Sequence, residues 1–322
     1  MNYSLDEIAL IPSIVSSVEH RSQVCCLTDD DKLPIFVSPM TSIVNKDNYP
    51  LYKNSDFIPI MPIWYYNKEE RLELLNRGEW VALTLDEFIH YFCGCNIEEN
   101  VEPFHYHVLI DCANGHMNKL LTAVEDAKQE FGYKLVVMAG NLANPDTYRY
   151  YCDCGIDYCR LGIGGNIVCE TGSLTGFHTS LPWLLTKIKE IKSTFGCTCK
   201  VVADGGVNSI AKIIKCLALG ADYVMCGYMF ATVGPGQYNK YYGQASPFGQ
   251  KDRFGDSREI KYVEGSLTYV PVKYSTLDEL AKDIKCALES AMSYADAFTL
   301  DDFIGKVKWD IQSIAEYKSF NA

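Results

Sequence analysis

Cys169 closes a glycine-rich run, Gly162-Ile163-Gly164-Gly165-Asn166-Ile167-Val168-Cys169, instead of sitting inside an apolar segment. A thiolate in such a loop is a strong nucleophile toward an electron-poor carbon. The chain has fourteen cysteines, so it is location that singles this one out. Two residues on, the Thr171 hydroxyl can relay a proton if a carboxylate orients it, and Glu264 is a candidate for that carboxylate. Composition alone leaves this pairing open.

A second group of residues suits an anion. Gly205, Gly206 and Gly227 each follow a short apolar run. Backbone N–H groups at such glycines approach a phosphate unhindered by side chains. Any one of these glycines can equally be a tight turn; it is their joint placement that favours phosphate. Asp204 ends an apolar run just before Gly205, where its carboxylate can accept hydrogen bonds from ribose hydroxyls while a phosphate binds beyond it.

These residues need elements to place them. Short β-branched apolar runs recur, each followed by a Gly, Asn or Asp turn and then a helical stretch, and that alternation predicts a parallel sheet. The predicted strands are Pro34–Val37, Phe57–Met61, Trp80–Leu83, His107–Ile110, Lys134–Ala139, Tyr158–Gly162, Lys200–Ala203 and Tyr223–Cys226. Eight of them imply an α/β fold of the TIM (β/α)8 type, whose chemistry sits at the carboxyl ends of the strands. Apolar spacing predicts helices over Met117–Phe131, Ser209–Leu219 and Leu277–Tyr294, with Asn144-Pro145 and Asn208-Ser209 as further helix starts. From Gly234 to about Arg258 the chain is rich in Gly, Tyr, Gln and Ser without sustained periodicity. It reads as a long loop over the active face.

Composition narrows the partners. A chain of 322 residues, 48% hydrophobic, can bury one large core, so a single domain over 1–322 is expected. The net charge of -12 and the absence of clustered Lys and Arg speak against nucleic acid, because neutralising phosphates needs such clusters. No apolar run approaches the roughly 20 residues that span a bilayer, and no apolar signal core follows Met1. A cytoplasmic protein with no membrane partner is the expectation. The close cysteine pairs, Cys25-Cys26, Cys93/Cys95, Cys152/Cys154 and Cys197/Cys199, lack the C-x-x-C spacing of zinc sites. Most cysteines are expected to be reduced, small and buried.

Over nearly its whole length the chain resembles the inosine monophosphate dehydrogenase and guanosine monophosphate reductase family. The resemblance is carried by Ser38-Pro39-Met40-Thr41, by Arg160-Leu161-Gly162-Ile163-Gly164 with Cys169-Glu170-Thr171, by Ala203-Asp204-Gly205-Gly206, and by Glu264-Gly265 through Val270-Pro271-Val272-Lys273. It implies a purine mononucleotide with its phosphate near Gly206 and Gly227, its ribose on Asp204 and C2 of its base beside Cys169, in a covalent thioimidate mechanism with Thr171 and Glu264 handling protons. Further substrate contacts implied are Ser38, Met40, Gly205, Tyr228, Gly243, Gln244 and Gly265. The cofactor side implied is Asp111, Cys112, Ala113, Asn141 and Gly164, with Ser290 and Ser293 reached across a homotetramer interface. A potassium ion on the backbone of Gly162, Gly164 and Cys169 is also implied.

Within the family, the reductase converts guanosine monophosphate to inosine monophosphate with NADPH, and the dehydrogenase oxidises inosine monophosphate with NAD. The Asp111-Cys112-Ala113-Asn114-Gly115 motif, the loop length and the lack of an inserted regulatory domain favour the reductase. Arg253 in Asp252-Arg253-Phe254 looks like the dehydrogenase's water-activating residue and is its alternative catalytic group. The chain departs from the family at Asn166-Ile167, where a phosphate-holding Gly-Ser is usual, in Met61-Pro62-Ile63-Trp64, where a Lys is usual, and at Phe177-His178-Thr179-Ser180. The first two of these departures motivate a third reading, a nucleotide-binding protein without turnover. His178 itself reads as an exposed bystander.

Overall fold

The structure, a computed structural model, describes residues 3–63, 67–94, 105–165, 167–255 and 263–320. Eight parallel strands alternate with helices: β1 (Ile35–Val37), β2 (Ile58–Pro59), β3 (Trp80–Leu83), β4 (Tyr106–Asp111), β5 (Leu135–Leu142), β6 (Tyr158–Leu161), β7 (Lys200–Asp204) and β8 (Tyr223–Cys226). Their order around the sheet is β2-β1-β8-β7-β6-β5-β4-β3. The ring closes between β2 and β3 through Met61, whose N–H donates to Trp80 O and whose carbonyl accepts from Ala82 N, both at 2.9 Å. The fold is therefore a TIM barrel, as the alternation predicts. β2 is shorter than the expected Phe57–Met61 because Pro59 and Pro62 flank the closing residue and bring no N–H to the ladder.

Period-two alternation sorts the strand residues between two cores. Cys159 and Leu161 of β6, and Val201 and Ala203 of β7, face the helices in the larger outer core. Phe36, Ala82, Leu109, Met138, Val202 and Met225 fill the barrel interior. Below them the interior is closed by aromatic rings: Phe36 meets Trp80 at 5.4 Å and Tyr158 at 5.9 Å, both edge to face, and Tyr223 at 5.2 Å. Continuing each strand by two residues toward its carboxyl end makes Asp111, Arg160 and Asp204 inward-facing. The charged layer thus follows from the same alternation that packs the core.

Local signals place the helices well. Ser209 caps Ile210–Leu219, its hydroxyl accepting from Lys212 N, and Thr276 caps Leu277–Tyr294 through Glu279 N. Asn144-Pro145 begins only a turn, with Asn144 Oδ1 accepting from Asp146 N at 3.0 Å. The helix proper is Thr147–Asp153.

The segment after β8 differs from the unstructured loop that its composition suggests. Tyr238–Tyr242 forms a strand paired antiparallel with Leu267–Pro271, and Pro247–Phe254 is a helix capped by Ser246. The strand carries no aliphatic face: Tyr241 is its fully buried residue, and the Asn239 amide donates to Ala231 O at 2.9 Å and Val233 O at 2.7 Å. Arg258, the expected far end of this flap, lies outside the described residues.

Candidate active site

A cavity of about 440 Å³ opens at the carboxyl ends of the strands, within the size range of small-molecule sites. Its floor is built on the strands themselves. Arg160 of β6 donates from Nη1 to Asp111 Oδ1 of β4 at 2.6 Å and from Nε to Asp204 Oδ2 of β7 at 2.9 Å. Burial works against the guanidinium charge, but Asp204 and Asp111 outweigh it and raise its pKa above the usual arginine value. The Asn141 amide donates to the same Asp204 oxygen at 2.9 Å and to Gly162 O at 2.7 Å. The pairing of β5 with β6 loses register between Ala139 and Leu142, an irregularity of the kind that re-aims a side chain next to a site.

The opposite wall is built on loops. The Cys169 thiol donates to Thr171 Oγ1 at 3.5 Å, and the Thr171 hydroxyl donates to Glu264 Oε2 at 2.9 Å. The pairing left open by composition is therefore present across 93 positions of sequence. Backbone contacts hold it: Cys169 bridges Gly265 in antiparallel fashion, Glu170 N donates to Glu264 O at 2.9 Å and Ser266 N to Val168 O at 3.1 Å. This arrangement can deliver a thiolate and carry its proton to a carboxylate.

Beyond Asp204, a small recess of about 20 Å³ is lined by Gly205, Gly206, Gly227, Tyr228, Asn208 and Ile167 among others. A side chain at Gly165 would meet the Gly205 carbonyl carbon at 2.9 Å, so the loops after β6 and β7 touch backbone to backbone. At Gly227, a Cβ would lie 2.8 Å from the Tyr241 hydroxyl and 3.0 Å from Met40 Sδ. Gly227 is thus required by close packing as well as by its position at the recess.

Of the other expected substrate residues, Ser38, Met40, Gly243 and Gln244 line the main cavity. Gly265 supports the cysteine loop from behind, through its bridge to Cys169. On the expected cofactor side, Asp111, Ala113, Asn141 and Gly164 line the cavity. Cys112 does not; its thiol donates to Gly140 O at 3.4 Å, and burial pushes its pKa up to about 12. Ser290 and Ser293 sit away from the cavity on the helix Leu277–Tyr294, where Ser293 O accepts from Ser16 at 2.8 Å. Arg253 falls within the helix Pro247–Phe254, but its side chain, like Asn166 and Trp64, lies outside the described residues. Among those residues no cluster of His, Cys, Asp and Glu could hold a metal ion.

Residue reading missed three features. Arg160 is quoted only as part of a motif, although it ties the whole floor together; an Arg at an inward strand position between two apolar neighbours is the signal that could have found it. Asp252 accepts from the Thr41 hydroxyl and the Tyr242 hydroxyl, both at 2.7 Å, and Gln244 Nε2 donates to Pro39 O at 2.8 Å. These contacts join the flap to the loop after β1. His178 is exposed as expected, yet its Nδ1 lies 3.1 Å from Ile163 O, bracing the glycine loop.

Fold and site together define the class: a (β/α)8-barrel enzyme with a cysteine thiol in its cavity. Residues 104–319 match the family model described as the IMP dehydrogenase / GMP reductase domain. The chain is 29% identical over 317 residues to the GMP reductase of Streptococcus agalactiae serotype V, covering 93% of this chain and 92% of that protein. It is 29% identical over 318 residues to the GMP reductase of Staphylococcus aureus strain JH9, with 91% of each covered. To the GMP reductase of Mesoplasma florum it is 26% identical over 317 residues, 92% of this chain and 94% of that protein. The chain belongs to the IMP dehydrogenase / GMP reductase family of purine nucleotide oxidoreductases. Among the described residues, no helix is long and apolar enough to cross a membrane.

Proposed function

We propose that this protein is a GMP reductase, converting guanosine monophosphate to inosine monophosphate and ammonia with NADPH as reductant. The observation that carries this reading is the Cys169–Thr171–Glu264 relay beside the cavity, supported by the relatives that bear the name GMP reductase.

The nucleotide lies with its phosphate on the backbone N–H groups around Gly206 and Gly227, together with Gly205 and Tyr228, and its ribose on Asp204. Arg160 and Asn141 both bond Asp204 Oδ2, so the carboxylate is oriented before substrate arrives and loses no freedom on binding. Ser38, Met40, Gly243 and Gln244 surround the base. Cys169 Sγ attacks C2 as its proton passes through Thr171 to Glu264. The same relay returns a proton to the 2-amino group, the C2–N bond breaks, ammonia leaves, and a thioimidate joins Cys169 to C2. The lining at Ala113, Gly162, Gly164 and Gly165 has no side chain beyond Cβ, which suits a flat ring, and Asp111 and Asn141 offer it polar partners. When bound there, NADPH supplies the hydride that reduces C2. Cys169 then departs as the C–S bond breaks.

The reading takes the chain as one catalytic domain, cytoplasmic and acting as a homotetramer that brings Ser290 and Ser293 to a neighbour's cofactor. The reading also carries a potassium ion on the backbone of Gly162, Gly164 and Cys169; no step above uses one. The second reading, an NAD-dependent IMP dehydrogenase with Arg253 activating water, draws on the flap helix that carries Arg253, whose Gln250 lines the cavity.

Two assays of reduced-nicotinamide absorbance decide between them. We expect absorbance to fall with guanosine monophosphate and NADPH and to stay flat with inosine monophosphate and NAD. A rise in the second assay makes the protein the dehydrogenase. No change in either, with nucleotide still bound, makes it a binding protein.

A further inference from the structure

The loops that follow β4 and β5 run side by side at the rim of the catalytic cavity. Backbone bonds join their bases: Cys112 N donates to Gly140 O at 3.1 Å, Asn141 N to Cys112 O at 2.8 Å and Gly115 N to Asn141 O at 3.0 Å. Behind them, the Tyr151 hydroxyl of the helix Thr147–Asp153 donates to Gly115 O at 2.9 Å. A Cβ at Gly115 would lie 2.6 Å from that hydroxyl and 2.8 Å from Asn141 O. The two loops are thus closed against each other, with no room for a side chain between them.

One side chain reaches across their outer ends. His116 Nε2 lies 3.2 Å from both Ala143 N and Asn144 N, and its Nδ1 lies 3.0 Å from Asn114 Oδ1. Backbone N–H groups only donate, so Nε2 is the unprotonated nitrogen of the ring. Asn114 Oδ1 also accepts from His116 N at 3.1 Å, which identifies it as the amide oxygen, so Nδ1 carries the ring proton and donates it there. The ring is therefore neutral. Burial lowers the His116 pKa below the ordinary histidine value, which favours the same form.

We propose that His116 is a positioning residue for the reduced nicotinamide cofactor, latching the loop of Ala113 against that of Asn141 so that one face is formed before the cofactor arrives. The proposal rests on the reading of this side of the cavity as the cofactor side. Ala113 and Asn141 both line it. Ala113 is itself exposed, so it is placed by the bonds of its loop and not by packing. Without the latch the loop ends can part, and the cost of ordering them falls on cofactor binding. The nucleotide side is spared, because Asn141 keeps its own bonds to Gly162 and Asp204.

Binding of NADPH and of NADH to the full-length protein, followed by nicotinamide fluorescence, tests this with three variants. Gln carries its Oε1 as many bonds from Cα as His carries Nε2, whereas the Asn oxygen stops one bond short. His116→Ala and His116→Asn are expected to weaken cofactor binding about 10-fold, and His116→Gln to restore it to within about twofold of wild type. Guanosine monophosphate affinity is expected to stay unchanged in all three. Cofactor affinity untouched in His116→Ala, or lost equally in the Gln and Ala proteins, would overturn the proposal. So would an equal loss of nucleotide affinity, which marks a general loosening of the site. A wild type that binds reduced nicotinamide with this pattern of variants, yet makes no inosine monophosphate, would overturn the reductase reading and uphold the latch. One that binds neither NADPH nor NADH would overturn both.

Discussion

The two walls of the catalytic cavity are made differently. The floor residues Asp111, Asn141, Arg160 and Asp204 all belong to barrel strands, and hydrogen bonds link them to one another over separations of 44 to 63 positions. On the other wall, Cys169 and Glu264 stand in loops held together by a few backbone bonds to each other. Strands of a closed ring fix side chains tightly, which suits groups that orient a ribose. Loops can shift as a base is attacked and released, which suits groups that must form and break a bond. The difference suggests a division of labour: binding and stability on the floor, chemistry on the loops.

That division can be broken from either side. The larger effect on turnover is expected at the loop wall. Glu264→Gln keeps the hydrogen bond from Thr171 but removes the proton acceptor, so kcat should fall about 100-fold, with nucleotide affinity and thermal unfolding unchanged. Steady-state kinetics beside a melting curve checks this. A Glu264→Gln protein as fast as wild type would remove the relay from the mechanism.

On the floor, Arg160→Met leaves two carboxylates facing each other without their shared cation, and breaking a buried pair typically costs about 3–5 kcal/mol. Unfolding should shift to lower temperature, and nucleotide binding should weaken about 10-fold as Asp204 loses its orientation. If Arg160→Met melts like wild type while Glu264→Gln melts early, the two walls have been assigned the wrong way round.

The walls were also unequally legible in the sequence. Strand runs gave the barrel because inward and outward apolar residues alternate over most of each strand. The floor's cross-links were hidden, since nothing local ties Arg160 to Asp111 or Asp204, and an Arg in an apolar run is silent about its partners until the ring closes. Cys169 and Thr171, two residues apart, were legible from their loop. Glu264 was one carboxylate among many until the resemblance singled it out. The flap was misjudged because its strand buries Tyr241 and half-buries Asn239, residues that leave no aliphatic signature. The cysteines were expected to be mostly buried, but of the thirteen described, only six are; six more are half-buried and Cys25 is exposed. Spacing along the chain does not say which of them meet.

The central claim is that Cys169 forms a covalent bond to C2 of the purine, and it is tested most directly by running the reaction backwards without ammonia. With inosine monophosphate and NADP, the account predicts a burst of one reduced nicotinamide per active site and then a stop, because the thioimidate has no ammonia to release it. Acid quenching and mass analysis should find the chain heavier by inosine monophosphate less two hydrogens, with the label on Cys169 and no burst from Cys169→Ala. Continuous turnover without ammonia, or a burst that leaves Cys169 unmodified, would contradict it.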